Sequence, residues 1–389
     1  MKIAVIGSYC TKFGELWNKS LYDLLAESQI GSLKNANILS NQIDAIYTGN
    51  MCSGILSGQL HLSSMATEIL NVNCPSISVE NACASGGVAL RQAILAIESG
   101  TAEIVMVNGV EKLTDLDSTD ITSALISAGN EEFEHFIGAT FPSLNALITR
   151  AYMHEYKLTR KQLAHVSIKN HKNAINNPLA HLKKEITIKD FSNATIIADP
   201  LTILDCPPIS DGAVTLILSS EKFAKNWIKK NTSKKIVYIT ASTQSSDTLT
   251  LSSRNMLTEF KATQIAAQKA YDMAKIKLEQ IDVVELHDGF SITEIISLED
   301  LGFFKKGTAG IATEKGLTQL NKKISVNPSG GLKAKGHPVG ATGISQAYEI
   351  IKQLQHKAGQ NQVKNAKIGL THNLGGCAGT SVIHIFTGE

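Results

Sequence analysis

The chain has 389 residues, of which 43% are hydrophobic and 19% charged, and its formal net charge is +2. This length exceeds one ordinary hydrophobic core, so two or three subdomains are expected. The near-neutral charge argues against nucleic acid or an anionic membrane as partner, and no apolar run approaches the roughly 20 residues that a membrane helix needs.

Short β-branched runs alternate with longer amphipathic segments along the chain, which indicates α/β architecture. In chain order, strands are predicted over Ile3–Ile6, Ala45–Tyr47, Ile77–Val79, Ile104–Val107, Val214–Leu218, Ile236–Thr240, Val283–Leu286, Ile368–Thr371 and Ser381–Phe386. Helices are predicted over Ser85–Glu98, Lys161–Asn176, Thr263–Ala274 and Gly343–Gln355.

The two halves of the chain resemble each other. The tripeptide QID at residues 42–44 precedes one predicted strand, and the same tripeptide at residues 280–282 precedes another. In each half a Gly-rich turn then leads into a helix and a strand, which favours an internal duplication over unrelated α/β patterning. We predict an N-terminal half over residues 1–225, a solvated Lys-rich linker over 226–235 and a C-terminal half over 236–389. Residues from about 115 to 199 have no counterpart and read as a helical insertion.

Neither terminus carries a recognisable targeting signal. The start lacks the basic, apolar and small-residue regions of a signal peptide, and the last residues, Thr387–Glu389, are no peroxisomal signal. The six cysteines are scattered without a CxxC pair, which favours reduced thiols over a disulfide framework. We therefore expect a cytoplasmic protein.

Cys83 is the first candidate for chemistry. It follows a predicted strand and precedes the helix from Ser85, within the small-residue segment NACASG of residues 81–86. A thiol near a helix N-terminus is expected to have a lowered pKa, because unpaired N–H groups stabilise the thiolate. Taken alone, the segment fits a small buried cysteine in a strand–helix turn equally well.

His337 is the second candidate. It lies in the glycine-dense segment of residues 327–343, NPSGGLKAKGHPVGATG. So many glycines are not needed to pack a core, so the segment is predicted to be a shaped loop at a cleft. If the halves are related by a pseudo-twofold axis, His337 occupies the place equivalent to Cys83. The two side chains would then form the nucleophile and base that thiol catalysis needs.

With these segments taken together, the chain resembles the thiolase superfamily, and within it the sterol-carrier-protein-X and archaeal branch. The resemblance covers most of the chain in the family's order, and it rests on residues 81–86, 206–213 (CPPISDGA), 287–290 (HDGF), 327–343 and 372–376 (HNLGG). It implies a five-layered αβαβα fold of two βαβαβαββ halves with an inserted loop domain.

The resemblance also implies roles. Cys83 would accept the acyl group, and His337 would activate it and hydrogen-bond the thioester oxygen of the second substrate. His287 would hold a water or act directly in the first oxyanion hole. The backbone N–H groups of Cys83 and Gly375 would form the second hole. Asn373 and Gly336 would be further substrate-binding positions.

One departure concerns a second thiol. Many thiolases use a cysteine in a CxG motif as acid/base at the substrate α-carbon, but Asn373 aligns with it here. The sterol-carrier-protein-X branch can take that thiol from HDCF, but this chain has Gly289 in its place. Cys377 is the remaining local thiol, and we include it as a candidate catalytic residue. His287 is otherwise expected to accept the proton, because an imidazole suits that task.

The implied activity is acyl transfer between CoA thioesters, in condensation of acetyl-CoA or in thiolysis of a 3-ketoacyl-CoA. No permanently bound cofactor and no metal is expected. Two alternatives stay open: a non-catalytic CoA-thioester-binding subunit and a carrier-protein-dependent ketoacyl synthase. Retro-aldolase relatives usually lack the nucleophilic cysteine, so Cys83 weighs against them.

The resemblance further implies assembly. A homodimer or dimer of dimers is expected, with residues 50–72 and Ile77–Val79 as interface candidates, and a small partner protein is compatible with the archaeal branch. The cysteines at positions 10, 52, 74 and 206 are expected to be packing residues. The histidines of the insertion lack metal-ligand spacing, and Asp211 is expected to be structural.

Overall fold

The structure is a computed structural model that describes residues 2–388. Its strands are β1 (Ile3–Cys10), β2 (Ala45–Gly49), β3 (Ser76–Val79), β4 (Ile104–Glu111), β5 (Ile196–Ala198), β6 (Leu201–Thr202), β7 (Gly212–Ser220), β8 (Val237–Ser246), β9 (Val283–Leu286), β10 (Ser325–Val326), β11 (Ile368–Gly375) and β12 (Thr380–Gly388). Each of the nine predicted strands overlaps one of these, because alternating β-branched residues identify strands well.

The helices are α1 (Leu21–Ala36), α2 (Ser53–Leu56), α3 (Leu62–Leu70), α4 (Ser85–Glu98), α5 (Ser118–Ile126), α6 (Phe141–Tyr156), α7 (Arg160–Ala174), α8 (Ile188–Ser192), α9 (Glu221–Lys230), α10 (Lys261–Ala274), α11 (Ser291–Asp300), α12 (Ala309–Glu314), α13 (Gly331–Lys335) and α14 (Thr342–Leu354). Several begin at a side-chain cap, and α1, α6 and α7 begin at capping boxes built on Ser20, Thr140 and Thr159. None of the helices described between residues 2 and 388 has the length and apolar character that crossing a membrane requires.

Ten strands follow one symmetric order, β3-β2-β4-β7-β1 and then β8-β12-β11-β9-β10. The first five come from the N-terminal half and the last five from the C-terminal half in matching positions. The halves join where β1 pairs antiparallel with β8, from Ile3 opposite Ile239 to Val5 opposite Val237. This order confirms the duplicated fold that the repeated motifs predicted.

Helices α4 and α14 pack against each other in the middle of the molecule, and each contacts strands of both halves. Helix α1 lies on the strands of the first half, and α10 lies on β8 and β12 of the second half. The resulting sequence of layers is αβαβα, as expected. Because α4 follows Cys83 and α14 follows His337, the central layer brings the two predicted reactive loops together.

Two boundaries differ from the prediction. Between β4 and β7 the chain forms α5 to α8 and a small β5–β6 hairpin, so the insertion extends past residue 199. The Lys-rich segment is not a solvated linker throughout, because residues 226–230 are the last turns of α9. Trp227 of this helix is buried, and its Nε1–H donates to the Ala36 carbonyl at 2.8 Å. How the chain divides into halves at this segment stays a prediction.

Candidate active site

Cys83 sits in a sharp turn between β3 and α4. The preceding residue, Ala82, has a φ of 51°, a left-handed conformation that is strained for a residue with a side chain. Ser85 holds the turn closed, because its hydroxyl donates to the Ala82 carbonyl at 2.6 Å and accepts from the Asn81 N–H at 2.8 Å. A strained turn kept by local hydrogen bonds is typical of a functional position.

The predicted low pKa of Cys83 is wrong. Burial is the largest influence, and it raises the pKa of the thiol to about 12. Backbone N–H groups of Gly376 and of Cys83 itself face the sulfur and favour the thiolate, but desolvation outweighs them. The resting side chain is therefore a neutral thiol, and a base must take its proton when it reacts.

The loop that ends at His337 is fixed by buried carboxylates. Glu285 accepts hydrogen bonds from the Ser329 N–H and hydroxyl at 2.9 and 2.7 Å. Asp288 accepts from the Leu332 N–H at 2.7 Å. These contacts tie residues 327–336 to the end of β9, so the imidazole starts from a rigid support.

His337 is held in one tautomer. Its Nδ1 lies 2.7 Å from the Thr342 hydroxyl oxygen, and that hydroxyl donates its own hydrogen to the Pro338 carbonyl at 3.0 Å. The hydroxyl oxygen must therefore accept, so the proton of His337 is on Nδ1. Its Nε2 is left with a lone pair that can accept a proton.

His287 is held in the opposite tautomer. The Asn373 side-chain N–H₂ donates to the Cys83 carbonyl at 3.1 Å, which fixes the amide orientation, and the same nitrogen lies 3.2 Å from His287 Nδ1. Nδ1 must accept, so the proton is on Nε2. This geometry favours a hydrogen-bond donor, in contrast to the proton acceptor expected for His287.

The two imidazoles are adjacent and uncharged. Their ring centroids are 5.1 Å apart with an interplanar angle of 84°. Burial lowers the pKa of His337 to about 3. Burial, together with the neighbouring His337 and His372, lowers the pKa of His287 well below its usual value. At neutral pH the pair therefore offers one acceptor and one donor, both on neutral rings.

Cys83, His287 and His337 line one cavity of about 440 Å³. The wall is largely apolar, from side chains such as Leu113, Leu125, Phe141, Ile203, Phe290 and Leu374. The cavity thus combines a thiol, a base and a donor in a largely apolar space that suits a thioester.

The chain matches two family domains, "Thiolase, N-terminal domain" over residues 3–222 and "Thiolase C-terminal domain-like" over residues 243–388. It belongs to the thiolase family. The acetyl-CoA acetyltransferase of Methanothermobacter thermautotrophicus is 47% identical over 99% of each chain. Bos taurus sterol carrier protein 2 is 32% identical over 96% of this chain and 70% of its own length. The solved Ltp2-ChsH2(DUF35) aldolase shares the fold at a TM-score of 0.83 and 21% identity, covering 98% of this chain and 97% of its own.

This thiolase places three predicted site residues outside the cavity wall. Asn373 lies behind it and bridges Cys83 to His287. Gly375 packs on the nucleophile turn, where an added Cβ would lie 2.8 Å from the Asn81 carbonyl oxygen. Gly336, with a φ of 116°, packs against Ser210 and Phe13. All three stay predictions as substrate contacts, but their observed contacts are structural.

Cys377 also lies behind the cavity of the thiolase. Its sulfur is buried 3.8 Å from Asn145 Nδ2, and burial raises its pKa to about 12, although Arg254 opposes the rise. The three guanidinium nitrogens of Arg254 are buried without a hydrogen-bond partner. A direct role for Cys377 stays a prediction.

Two cavity residues were missed as functional candidates. Gly376, not Gly375, has the N–H that faces the Cys83 sulfur. Cys206 lines the same cavity although packing was expected, and burial raises its pKa to about 11. The CPPISDGA motif was the available signal for Cys206. Nothing in the sequence could indicate whether the N–H of Gly375 or that of Gly376 faces the sulfur.

The remaining candidates are structural. All six cysteines are free. The buried Asp211 carboxylate accepts from the N–H groups of Leu113 and Thr114 and pairs with Lys112 at 2.7 Å, so it anchors the chain after β4. Over the described residues 2–388, no group of three or more His, Cys, Asp or Glu side chains is placed to hold a metal ion.

Proposed function

We propose that this thiolase is an acetyl-CoA C-acyltransferase that transfers its acyl group through a thioester on Cys83. The observation that carries the proposal is one cavity lined by Cys83, His337 and His287, in which the partners at Nδ1 leave His337 Nε2 to accept a proton and His287 Nε2–H to donate. The name of the Methanothermobacter relative supports acetyl-CoA as substrate. No permanently bound cofactor is proposed, since CoA thioesters enter and leave as substrates.

In the first half-reaction, His337 Nε2 takes the proton of Cys83 as the sulfur attacks the thioester carbonyl carbon. The N–H groups of Cys83 and Gly376 face the sulfur, and we assign them to the oxyanion that forms on the carbon bonded to it. The bond to the CoA sulfur breaks, and His337 returns the proton to that sulfur. CoA leaves as a thiol, and Cys83 keeps the acyl group.

In the condensing half-reaction, the same His337 is neutral again and takes a proton from the α-carbon of acetyl-CoA. The His287 Nε2–H donates to the enolate oxygen, and the carbanion attacks the carbonyl carbon of the Cys83 thioester. The bond from that carbon to the Cys83 sulfur then breaks, and His337 returns its proton to the sulfur. The 3-ketoacyl-CoA leaves, and the neutral thiol is restored. This assignment needs no second thiol, which suits a chain that lacks the CxG and HDCF cysteines. Thiolysis is the reverse sequence.

The test is intact-mass measurement after incubation with acetyl-CoA or acetoacetyl-CoA. The wild type is expected to gain one acyl group on the protein, and Cys83→Ser is expected to form no thioester adduct, because a hydroxyl is a much weaker nucleophile than a thiol. Cys74→Ser, which removes a thiol outside the cavity, is the control and should be acylated normally. A wild-type protein without an adduct would favour the non-catalytic alternative.

We also propose a homodimer through the edge of the N-terminal sheet. Strand β3 is the last strand of the order, so one side of its backbone is unpaired, and Ile77 is 51% exposed. Ile55 and Leu60 on the preceding segment are also exposed. Ile77→Lys is expected to shift the sedimentation-equilibrium mass from dimer to monomer. An equally charged change at an exposed position on α10 of the C-terminal half, Met273→Lys, should leave the mass unchanged.

A small partner protein is a further proposal, as is a cytoplasmic location. The name Ltp2-ChsH2(DUF35) aldolase includes a DUF35 component beside a chain of this fold. In this thiolase the segment between α5 and α6 exposes Phe133, Phe136 and Ile137. Because α5 and α6 both line the cavity, a partner seated on this segment would lie beside the cavity wall.

A further inference from the structure

Glu111, the last residue of β4, is a fully buried carboxylate that binds two loops at once. One oxygen accepts from Asn50 Nδ2 at 2.8 Å and from the Cys52 N–H at 3.0 Å. The other accepts from the Met51 N–H at 3.0 Å and from the Gly340 N–H at 2.9 Å. Three of these donors belong to residues 50–52 of the N-terminal half, whereas Gly340 belongs to the C-terminal half.

Gly340 lies in the turn that orients His337. In that turn the Ala341 N–H donates to the Pro338 carbonyl at 2.9 Å, and the Thr342 hydroxyl donates to the same carbonyl at 3.0 Å. The Thr342 oxygen in turn accepts from His337 Nδ1 at 2.7 Å. A displacement of Gly340 would therefore also move the His337 imidazole, because only one turn of backbone separates them.

The same turn rests directly on the helix that follows Cys83. An added Cβ on Gly86, in the first turn of α4, would lie 2.6 Å from the Gly340 carbonyl oxygen. An added Cβ on Gly340 would lie 2.6 Å from the Asn50 Cα and 2.8 Å from a Glu111 oxygen. The backbones of both reactive loops thus touch without side chains between them, and Glu111 supplies the hydrogen bond at this contact.

We propose that Glu111 is the positioning residue that sets His337 against Cys83, by holding the Gly340 turn of one half on the 50–52 loop of the other. This inference rests on the acyl transfer proposed above. Glu111 does not line the cavity, so it positions His337 without touching the substrate. Its charge also raises the pKa of Cys83, although less than burial does. Removing that charge would favour the thiolate and speed acylation, so slower acylation in a variant reports the positioning role.

The test is Glu111→Gln. Each oxygen of Glu111 accepts from two donors, but a glutamine amide has only one oxygen. Its N–H₂ group would therefore face one of these two pairs of donors and could not accept from them. We expect the single-turnover rate of Cys83 acylation by acetyl-CoA, followed by intact mass, to fall about 100-fold, the scale of a small misplacement between reacting groups. CoA affinity, measured by isothermal titration calorimetry, should stay within about threefold, since the substituted side chain does not itself line the cavity. If Cys83 of this variant were acylated at the wild-type rate, the proposal would be overturned.

Asp300→Asn is the matched control. Asp300 is a buried carboxylate that accepts from the Phe260 N–H at 2.7 Å and from Gln264 at 2.8 Å, and it pairs with Lys306 at 2.7 Å, away from both reactive loops. It should lower the unfolding temperature but leave the acylation rate of the folded protein unchanged. An equal loss of acylation in this control would show that Glu111 is merely structural and would overturn the proposal.

Glu111→Asp is the second variant, should the Gln variant fail to fold. It keeps the charge and both oxygens but shortens the reach by one methylene, so slowed acylation with retained CoA affinity is again expected. Acylation at the wild-type rate would count against Glu111. A wild-type protein that forms no Cys83 adduct contradicts the acyltransferase function itself, whereas normal acylation of wild type and Glu111 variants contradicts only the positioning role.

Discussion

His337→Gln is expected to slow acylation of Cys83 by about 10²–10⁴-fold, the range for loss of a general base. The loss should be large because burial raises the pKa of the Cys83 thiol to about 12, so little thiolate forms without a base. Glutamine keeps a polar group in the position but cannot take a proton at neutral pH. Stopped reactions analysed by intact mass give the rate directly.

The pH dependence of acylation provides an independent check of His337. Since the folded pKa of His337 is lowered to about 3, the imidazole stays unprotonated as the pH falls from neutrality, and the base is lost only near that value. Titration of His337 itself should therefore leave the acylation rate unchanged between about pH 5 and pH 8. Burial raises the pKa of Glu111 to about 7, so its protonation is a separate source of pH dependence in this range. A decline centred near pH 6.5 that persists in Glu111→Gln, which cannot titrate there, would contradict the neutral thiol–imidazole pair.

The fold could be predicted largely from the sequence because its information is local and periodic. Strands such as β4 and β9 are short β-branched runs, and the repeated QID tripeptide indicates the duplication in the sequence itself. Strand β10 has only two residues, Ser325–Val326, so no periodicity could reveal it. The first part of the Lys-rich segment, residues 226–230, was not predicted to be helical. The burial of Trp227 there depends on a tertiary contact with α1, which the local sequence does not show.

The candidate site was predicted at the level of residue types but not of proton positions. The motifs identified Cys83, His287 and His337, and the structure brings all three into one cavity. Their tautomers depend on partners that no local pattern specifies, since Asn373 and the Cys83 carbonyl are 290 residues apart in the chain. The pKa of Cys83 likewise depends on burial, which outweighs the helix N-terminus used in the prediction.

His287→Ala is expected to lower the rate of condensation by about 10²–10³-fold, the usual loss when one oxyanion donor is removed. Acylation of Cys83 should fall far less, because the donors that we propose for its oxyanion are the N–H groups of Cys83 and Gly376, which face the sulfur. Both half-reactions can be followed separately, acylation by intact mass and condensation by formation of acetoacetyl-CoA from the pre-acylated protein. Equal losses in the two would show that the role of His287 is misassigned.

Glutamine substitution distinguishes a donor from a base at the two histidines. A glutamine side chain presents an N–H close to the place of an imidazole Nε2, so His287→Gln should recover part of the condensation rate that alanine removes. The same substitution at His337 should recover nothing, because an amide cannot accept and return a proton there. This opposite outcome follows directly from the two hydrogen bonds at Nδ1, one accepted by His287 from Asn373 and one donated by His337 to Thr342. Recovery at His337, or none at His287, would reverse the assignment of the two rings.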